Sequence, residues 1–193
     1  DGNTLLHKAI INGHVEVVKI LIQDQRFVIS DQDLKDLIAL DNVSLLESLL
    51  DHPFINRSNI YSGIILLNAA IEQQNPQMVE ILLHNLLNIN DSMSSQDSDG
   101  NTPLHKAIKI ANTQISDDAI AIINQLLPYN RTVSLRDNEG KTVLELSASS
   151  PQVVKMLLEY PEIKKSSGDR QLRAEGTPVR LRLVVIAPAG ASE

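Results

Sequence analysis

Five histidines, His7, His14, His52, His84 and His105, are the side chains of this 193-residue chain best suited to proton transfer or metal binding. A working histidine needs a nucleophile, an orienting carboxylate or further ligands around it. No nucleophile accompanies these five in the pattern, and His52 and His84 each follow leucine-rich stretches, as solvated helix ends do. The run Asp97-Ser98-Asp99-Gly100 has some letters of a calcium loop, whose glycine is sixth and whose bidentate glutamate is twelfth. Counting from Gly100 puts Ser95 first and Lys106 twelfth, an ammonium where a carboxylate is required. No two of the eight glycines form G-x-G, so a nucleotide-phosphate cradle is unsupported. With no cysteine there is neither a disulfide framework nor a thiolate metal site. The chemistry-bearing residues therefore predict no catalytic set, no metal and no cofactor.

Composition predicts a folded body. Hydrophobic residues are 42% of the chain and charged residues 21%, too apolar for disorder, and aromatics are only 3%, so aliphatic side chains must fill the core. A net charge of −7 disfavours nucleic acid and anionic lipid as partners. No run approaches the roughly 20 apolar residues of a membrane span, and the expected setting is intracellular, most simply cytoplasm. Four N-x-S/T sequons, at Asn42, Asn56, Asn90 and Asn130, are explained by chance in an Asn/Ser-rich chain. The chain opens at Asp1 inside a motif, which predicts a fragment of something longer.

The elements that must position these residues emerge when the chain is laid on itself. Asp1-Gly2-Asn3-Thr4-Leu5-Leu6-His7-Lys8-Ala9-Ile10 recurs with one change as Asp99-Gly100-Asn101-Thr102-Pro103-Leu104-His105-Lys106-Ala107-Ile108, and more weakly as Glu139-Gly140-Lys141-Thr142-Val143-Leu144-Glu145. Gly2, Gly100 and Gly140 stand where a tight turn needs positive φ, and Thr102-Pro103 reads as a helix N-cap followed by proline in the first turn. Leu6, Ala9 and Ile10, then Val17, Val18 and Leu21, have helical spacing, so two short helices meet at Asn12-Gly13-His14. Neither buries its face alone. Val17 to Ile22 aligns with Leu45 to Leu50, Met78 to Leu83, Ile122 to Leu127 and Val153 to Leu158, giving five units at steps of 28, 33, 44 and 31 residues.

These residues resemble the ankyrin family, whose signature D-x-x-G-x-T-P-L-H-x-A-A-x-x-G-H-x-E-V-V-K-L-L-L the first unit carries through Gly13-His14-Val15-Glu16-Val17-Val18-Lys19-Ile20-Leu21-Ile22. The resemblance implies an all-α solenoid of stacked helix-turn-helix units with short β-turn fingers. It also implies a structural hydrogen bond from His7 and His105, with Thr4 and Thr142 as matching motif positions. Expected units are 1–28, 29–56, 57–91, 97–130 and 135–163, within a domain spanning 1–165. The second lacks its glycine turn and takes Leu34, Leu37 and Ile38 as its inner helix. The third keeps Gly63 and Ala70 but has Ile65-Leu66-Leu67-Asn68 in place of T-P-L-H. The 44-residue step holds about seven extra residues within Lys109 to Asp118, read either as a gripping loop or as a longer helix with a polar turn at Asn112-Thr113-Gln114. Pro128-Tyr129 and Tyr160-Pro161, like Pro53-Phe54, read as helix stops with a covering ring.

Residues 166–193 break the pattern. From Gly168 onward there is no lysine, asparagine or histidine but four arginines, and the tail is +1 against −8 for the preceding residues. Val179 to Ile186 alternates like a lone strand. An interaction tail, a foreign extension and a degenerate cap all fit.

A repeat stack curves into a concave surface, and the family pattern carries Asn3, Lys8, Ile11, Asn12, Asp36, Leu40, Glu72, Gln73, Asn101, Lys106, Lys109, Ile110, Asn138, Glu139 and Lys141 onto it. Charges and amides mixed with aliphatics suit a protein partner better than a small molecule. The expected function is a protein-binding scaffold or adaptor. The alternative is the substrate-recruiting part of a larger enzyme, or of a bacterial effector, whose catalytic domain lies elsewhere; an Ile/Asn/Gln/Lys bias suits AT-rich genomes, including those of bacteria that deliver ankyrin proteins into host cells.

Overall fold

The computed structural model describes residues 4–24, 29–51, 60–85, 93–129 and 134–160, and these are helices joined by turns, with no strand among them. Among these residues five helix pairs follow one another. Helix α1 (Leu5–Ile11) packs on α2 (Val15–Gln23), α3 (Asp31–Ala39) on α4 (Val43–Leu50), α5 (Ile60–Glu72) on α6 (Pro76–Asn85), and α7 (Pro103–Thr113) on α8 (Asp117–Leu126). In the last pair α9 (Val143–Leu146) runs into a 3-10 turn, Ser147–Ser149, that packs on α10 (Pro151–Glu159). First helices touch in series from α1 to α9 and second helices from α2 to α8, giving two parallel rows. The chain is thus an all-α repeat solenoid.

Local chemistry starts each helix. Side-chain oxygens of Thr4, Ser30, Asn42, Thr102, Ser116 and Thr142 accept from the backbone N–H three residues on, satisfying donors that the first helical turn leaves open. Pro103 and Pro151 occupy first turns, where their missing N–H costs nothing. Between the paired helices, Gly13 has φ +67° and its N–H bonds the Ile10 carbonyl. Asp41 at φ +50° and Gln74 at φ +53° do the same to Ile38 and Ile71. The left-handed turn survives without glycine, at a cost of about 1 kcal/mol for a residue that carries a Cβ.

Packing among the described residues is chiefly aliphatic. Leu6, Ala9 and Ile10 of α1 align with buried Leu34, Leu37 and Ile38 of α3, Leu67, Ala70 and Ile71 of α5, and Leu104, Ala107 and Ile108 of α7. Second helices add Val18, Leu46, Val79 and Ile123. One continuous core results, and burying each such Leu, Ile or Val side chain is worth about 1.5–3 kcal/mol.

Three expectations are altered or decided. Gly63 lies within α5, not in a turn, because Ile60–Glu72 is helical across it. The extra residues in the fourth unit form helix: α7 has 11 residues against seven in α1, and α8 begins five residues before Ile122 where α2 begins two before Val17. The linkers, Gln114–Ser116 and Asn12–His14, are equally short. The gripping loop is therefore replaced by a longer rung. Leu127–Tyr129 is a 3-10 stop, and Tyr129 and Tyr160 pack half-buried on the core. Gly2, Asn3, His52, Phe54 and residues 166–193, including the Val179–Ile186 alternation, lie outside the described residues.

Candidate partner-binding surface

Ahead of the α7 and α9 helices lie two fingers of identical construction. Asp97 accepts from the N–H groups of Asp99 (3.0 Å) and Asn101 (2.8 Å), and its own N–H bonds the Asn101 carbonyl. Asp137 repeats this with Glu139 (3.0 Å) and Lys141 (2.9 Å). Gly100 (φ +74°) and Gly140 (φ +77°) close the turns. A Cβ on Gly100 would meet Asn138 Oδ1 at 2.5 Å, because the next finger stacks directly on it: Asn138 donates its backbone N–H to Asp99 O (3.0 Å) and its amide to Ser98 O (2.8 Å). Gln96 spans both fingers, donating to the Gly100 and Arg136 carbonyls.

Charges on the first-helix row tie unit to unit. Lys106 Nζ lies 2.6 Å from Glu72 and 3.4 Å from Asp97. Lys109 Nζ lies 2.9 Å from the buried Asp137 carboxylate. Burial pushes Asp137 upward, but the Lys109 ammonium and the Lys141 and Glu139 amides outweigh it and hold its pKa below the usual carboxylate value. Asp97 is likewise depressed: burial opposes this, and the Asn101 and Asp99 donors and Lys106 overcome it. Glu145 is depressed against its burial by the Thr142 backbone N–H and hydroxyl and by Arg136. Lys141 and Glu139 pair at 2.8 Å in solvent, which lowers the acid and raises the base.

His105 is fully buried, with Nε2 3.2 Å from Lys141 O and Nδ1 2.7 Å from Thr102 Oγ1. Donation from Nε2 to the carbonyl leaves Nδ1 as acceptor for the Thr102 hydroxyl, the neutral tautomer. Burial lowers its pKa, against the Lys141 carbonyl and Asp137. His7 is placed differently. Its Nδ1 lies 3.1 Å from the buried Asp33 carboxylate, which also caps α3 through Ser30. Both histidines tie one unit to the next, through different acceptors.

The predicted surface residues separate accordingly. Lys8, Ile11 and Asn12 are exposed at α1, Asn12 closing the helix by donating to Lys8 O (2.7 Å). Asp36 accepts from Gln32, and Leu40 and Ile110 are half-buried against the core. Glu72, Lys106, Lys109, Asn138, Glu139 and Lys141 are engaged in the contacts above. Asn101 leaves the surface: it is buried because its N–H and amide both turn to Asp97. Asn3 lies outside the described residues. Gln73 is exposed and lines a polar cavity of about 400 Å³ with Asp41, Gln74, Asn75, Gln77 and Asp118 between the turns of neighbouring units.

Sequence reasoning missed Asp97 and Asp137 as organisers of the fingers, although the D-x-x-G-x-T spacing carried the signal. The letters Gly140-Lys141-Thr142 also end a phosphate-binding loop, but Leu135 stands where that loop needs its first glycine. Here the Thr142 hydroxyl caps a four-residue helix. Among the described residues no three His, Asp or Glu side chains are grouped as a metal site requires. No helix among them is long and apolar enough to cross a membrane.

Comparison with known proteins places this geometry. The family profile for ankyrin repeats in three copies matches residues 66–169, and the single ankyrin repeat profile matches residues 1–36. Ankyrin repeat protein FPV031 of fowlpox virus is 30% identical over 174 residues, covering 83% of this chain and 48% of that protein. The chain thus spans about half the length of the curated relative it matches. The crystal structure of the ankyrin repeat protein EF0377 aligns over 84% of this chain and 96% of that one, at 18% identity and a TM-score of 0.45.

Proposed function

The chain belongs to the ankyrin repeat family, and from that premise we propose that it holds a partner protein against the exposed side of its first-helix row. Ankyrin repeats are in general protein–protein interaction modules, and members of the family are typically non-enzymatic scaffolds. The observation that supports the placement is the split among surface residues. Lys8 and Ile11 on α1 and Gln73 beside α5 present exposed side chains, whereas Lys106 and Lys109 are bound to neighbouring units. Exposed Ile11 beside an ammonium supplies the apolar anchor and polar rim of a recognition patch. The binding domain in this reading is residues 1–165 in five units, with 166–193 outside it.

The test is photocrosslinking from cell extract with a crosslinker at Ile11 or Gln73, compared with one at Glu80, an exposed residue of α6 in the other row. A discrete protein adduct at Ile11 and Gln73, lost in Lys8→Glu and absent at Glu80, is expected. Equal labelling in both rows, or none, overturns the reading. Reversing Lys106 or Lys109 would test the stack, not the surface.

A further inference from the structure

The turn that joins the two helices of a unit carries a different residue in each. The position of Gly13 is held by Asp41 in the second unit, Gln74 in the third and Ile115 in the fourth. Asp41 and Gln74 line the cavity of about 400 Å³ between neighbouring turns. Ile115 stands at its rim, since Ser116 donates to Gln74 Oε1 at 3.0 Å and Asp118 lines the cavity. Ile115 is 54% exposed, and among the described residues outside the first unit no other large hydrophobic side chain is so open. The walls are polar and hold no cation: two carboxylates, Asp41 and Asp118, face the amides of Gln73, Gln74, Asn75 and Gln77. Asn75 donates to one oxygen of Asp41, and the side chains of Asp118 and Gln77 have no partner among the described residues. The surroundings have the same sign. Helices α4, α6 and α8 and their entry turns carry Asp41, Glu47, Glu80, Asp117 and Asp118 and no lysine or arginine, whereas α2 carries Lys19 and α10 carries Lys155.

We propose that this turn edge seats a partner segment in which an aliphatic residue follows an arginine, the guanidinium entering the cavity between Asp41 and Asp118 and the aliphatic side chain covering Ile115. The volume falls within the roughly 300–1,000 Å³ of binding pockets, and no third carboxylate or histidine joins the two acids as a metal would require. An anion is disfavoured. The N-termini of α6 and α8, which would attract one, open on Pro76 and on Asp117-Asp118, and their N–H groups at Met78 and Ala119 are capped by Asn75 and Ser116. The C-terminal end of α3, the negative end of its dipole, borders the cavity through Ile38 and Ala39. A guanidinium offers five donors in one plane to carboxylate and amide oxygens that come from three units, where an ammonium offers a point charge. The site shares only Gln73 with the surface proposed above and does not rest on that reading.

The test is a nitrogen-15 NMR titration of the full chain with the peptide acetyl-Gly-Arg-Leu-Gly-amide, beside counterparts that carry lysine or the uncharged isostere citrulline in place of arginine. Shifts confined to the side-chain amides of Gln74, Asn75 and Gln77 and the backbone of Ile115 are expected, with a dissociation constant of roughly a millimolar for so small a contact. The lysine peptide should bind more weakly and the citrulline peptide should move nothing. Asp41→Asn and Asp118→Asn should each weaken binding by about fivefold. Both keep the fold: asparagine tolerates positive φ and leaves Asn75 an acceptor, and Asp118 is exposed; circular dichroism checks this. The proposal is overturned if the three peptides bind alike, if both variants bind as the parent does, or if shifts spread evenly to Glu47 and Glu80. It also falls if replacing Arg170, Arg173, Arg180 and Arg182 by glutamine in the full chain moves the same signals with no peptide present, which would make the chain's own tail the occupant.

Discussion

Between α1 and α3 the first-helix row is crossed by His7 reaching Asp33. Between α7 and α9 the crossing is made by His105 to the Lys141 carbonyl, by Lys109 to Asp137, and by the stacked fingers through Gln96 and Asn138. The same helix plan is therefore held in two ways. At the α7–α9 end, buried and charge-assisted bonds join fingers to helices, and charges that look available in sequence are committed to the neighbour. At the α1–α3 end, aliphatic contact carries the junction and leaves Lys8 and Ile11 exposed. Repeat stability sums intrinsic and nearest-neighbour contributions, so the two junctions are separately breakable.

The largest effect is expected from Asp137→Ala, which strips the Glu139 and Lys141 amides and the Lys109 ammonium of their acceptor. A loss of about 3 kcal/mol in urea unfolding is anticipated; a loss under about 1 would mean that the polar junction is ornamental. Gly100→Ala comes next, at about 2 kcal/mol or more, since positive φ and the clash with Asn138 add. Gly13→Ala, at a similar φ with nothing within 4 Å, should cost about 1 kcal/mol. Equal losses at the two glycines would remove finger stacking as the distinction.

Acid should also separate the junctions. The folded pKa of His105 is lowered, so below the unfolded value of about 6.5 the unfolded chain takes up a proton that the folded chain resists. Its contribution is complete above that value and fades as pH falls below it. Asp97, Asp137 and Glu145, also lowered, add a second loss beneath about pH 4.5. Site-resolved amide exchange should show α7 and α9 loosening first, and His105→Gln should remove the upper step. Smallest of all, His7→Ala should cost about 1 kcal/mol or less, because that histidine is partly solvated.

Legibility followed the range of the interaction. Thr102-Pro103 declares a helix start because a cap acts over three residues, and the aliphatic doublets declare the core through a 3.6-residue period. Asp41 and Gln74 hid their turns because glycine is favoured at positive φ, not compulsory. Lys106 and Lys109 read as surface because their partners, Glu72 and Asp137, stand on other units and are found only once helical phase and stacking are known. Asn101 was misplaced because burial of a finger residue depends on which way one aspartate folds over it. The exposure of Val17 on α2 was invisible for a related reason: Val17 belongs to the ordinary apolar pattern, and its exposure is a property of what lies beside it.

The first helices are unequal in length, which sets the dimensions of the row they form. At 1.5 Å per residue, α1 and α3 lay down about 10 and 14 Å of floor, α5 and α7 about 20 and 17 Å, and α9 about 6 Å. The floor is widest in the middle of the stack and narrows toward both ends. On the proposed reading, a partner element laid lengthwise along the row would have its broadest purchase over α5 and α7, and one laid crosswise would be best accommodated there.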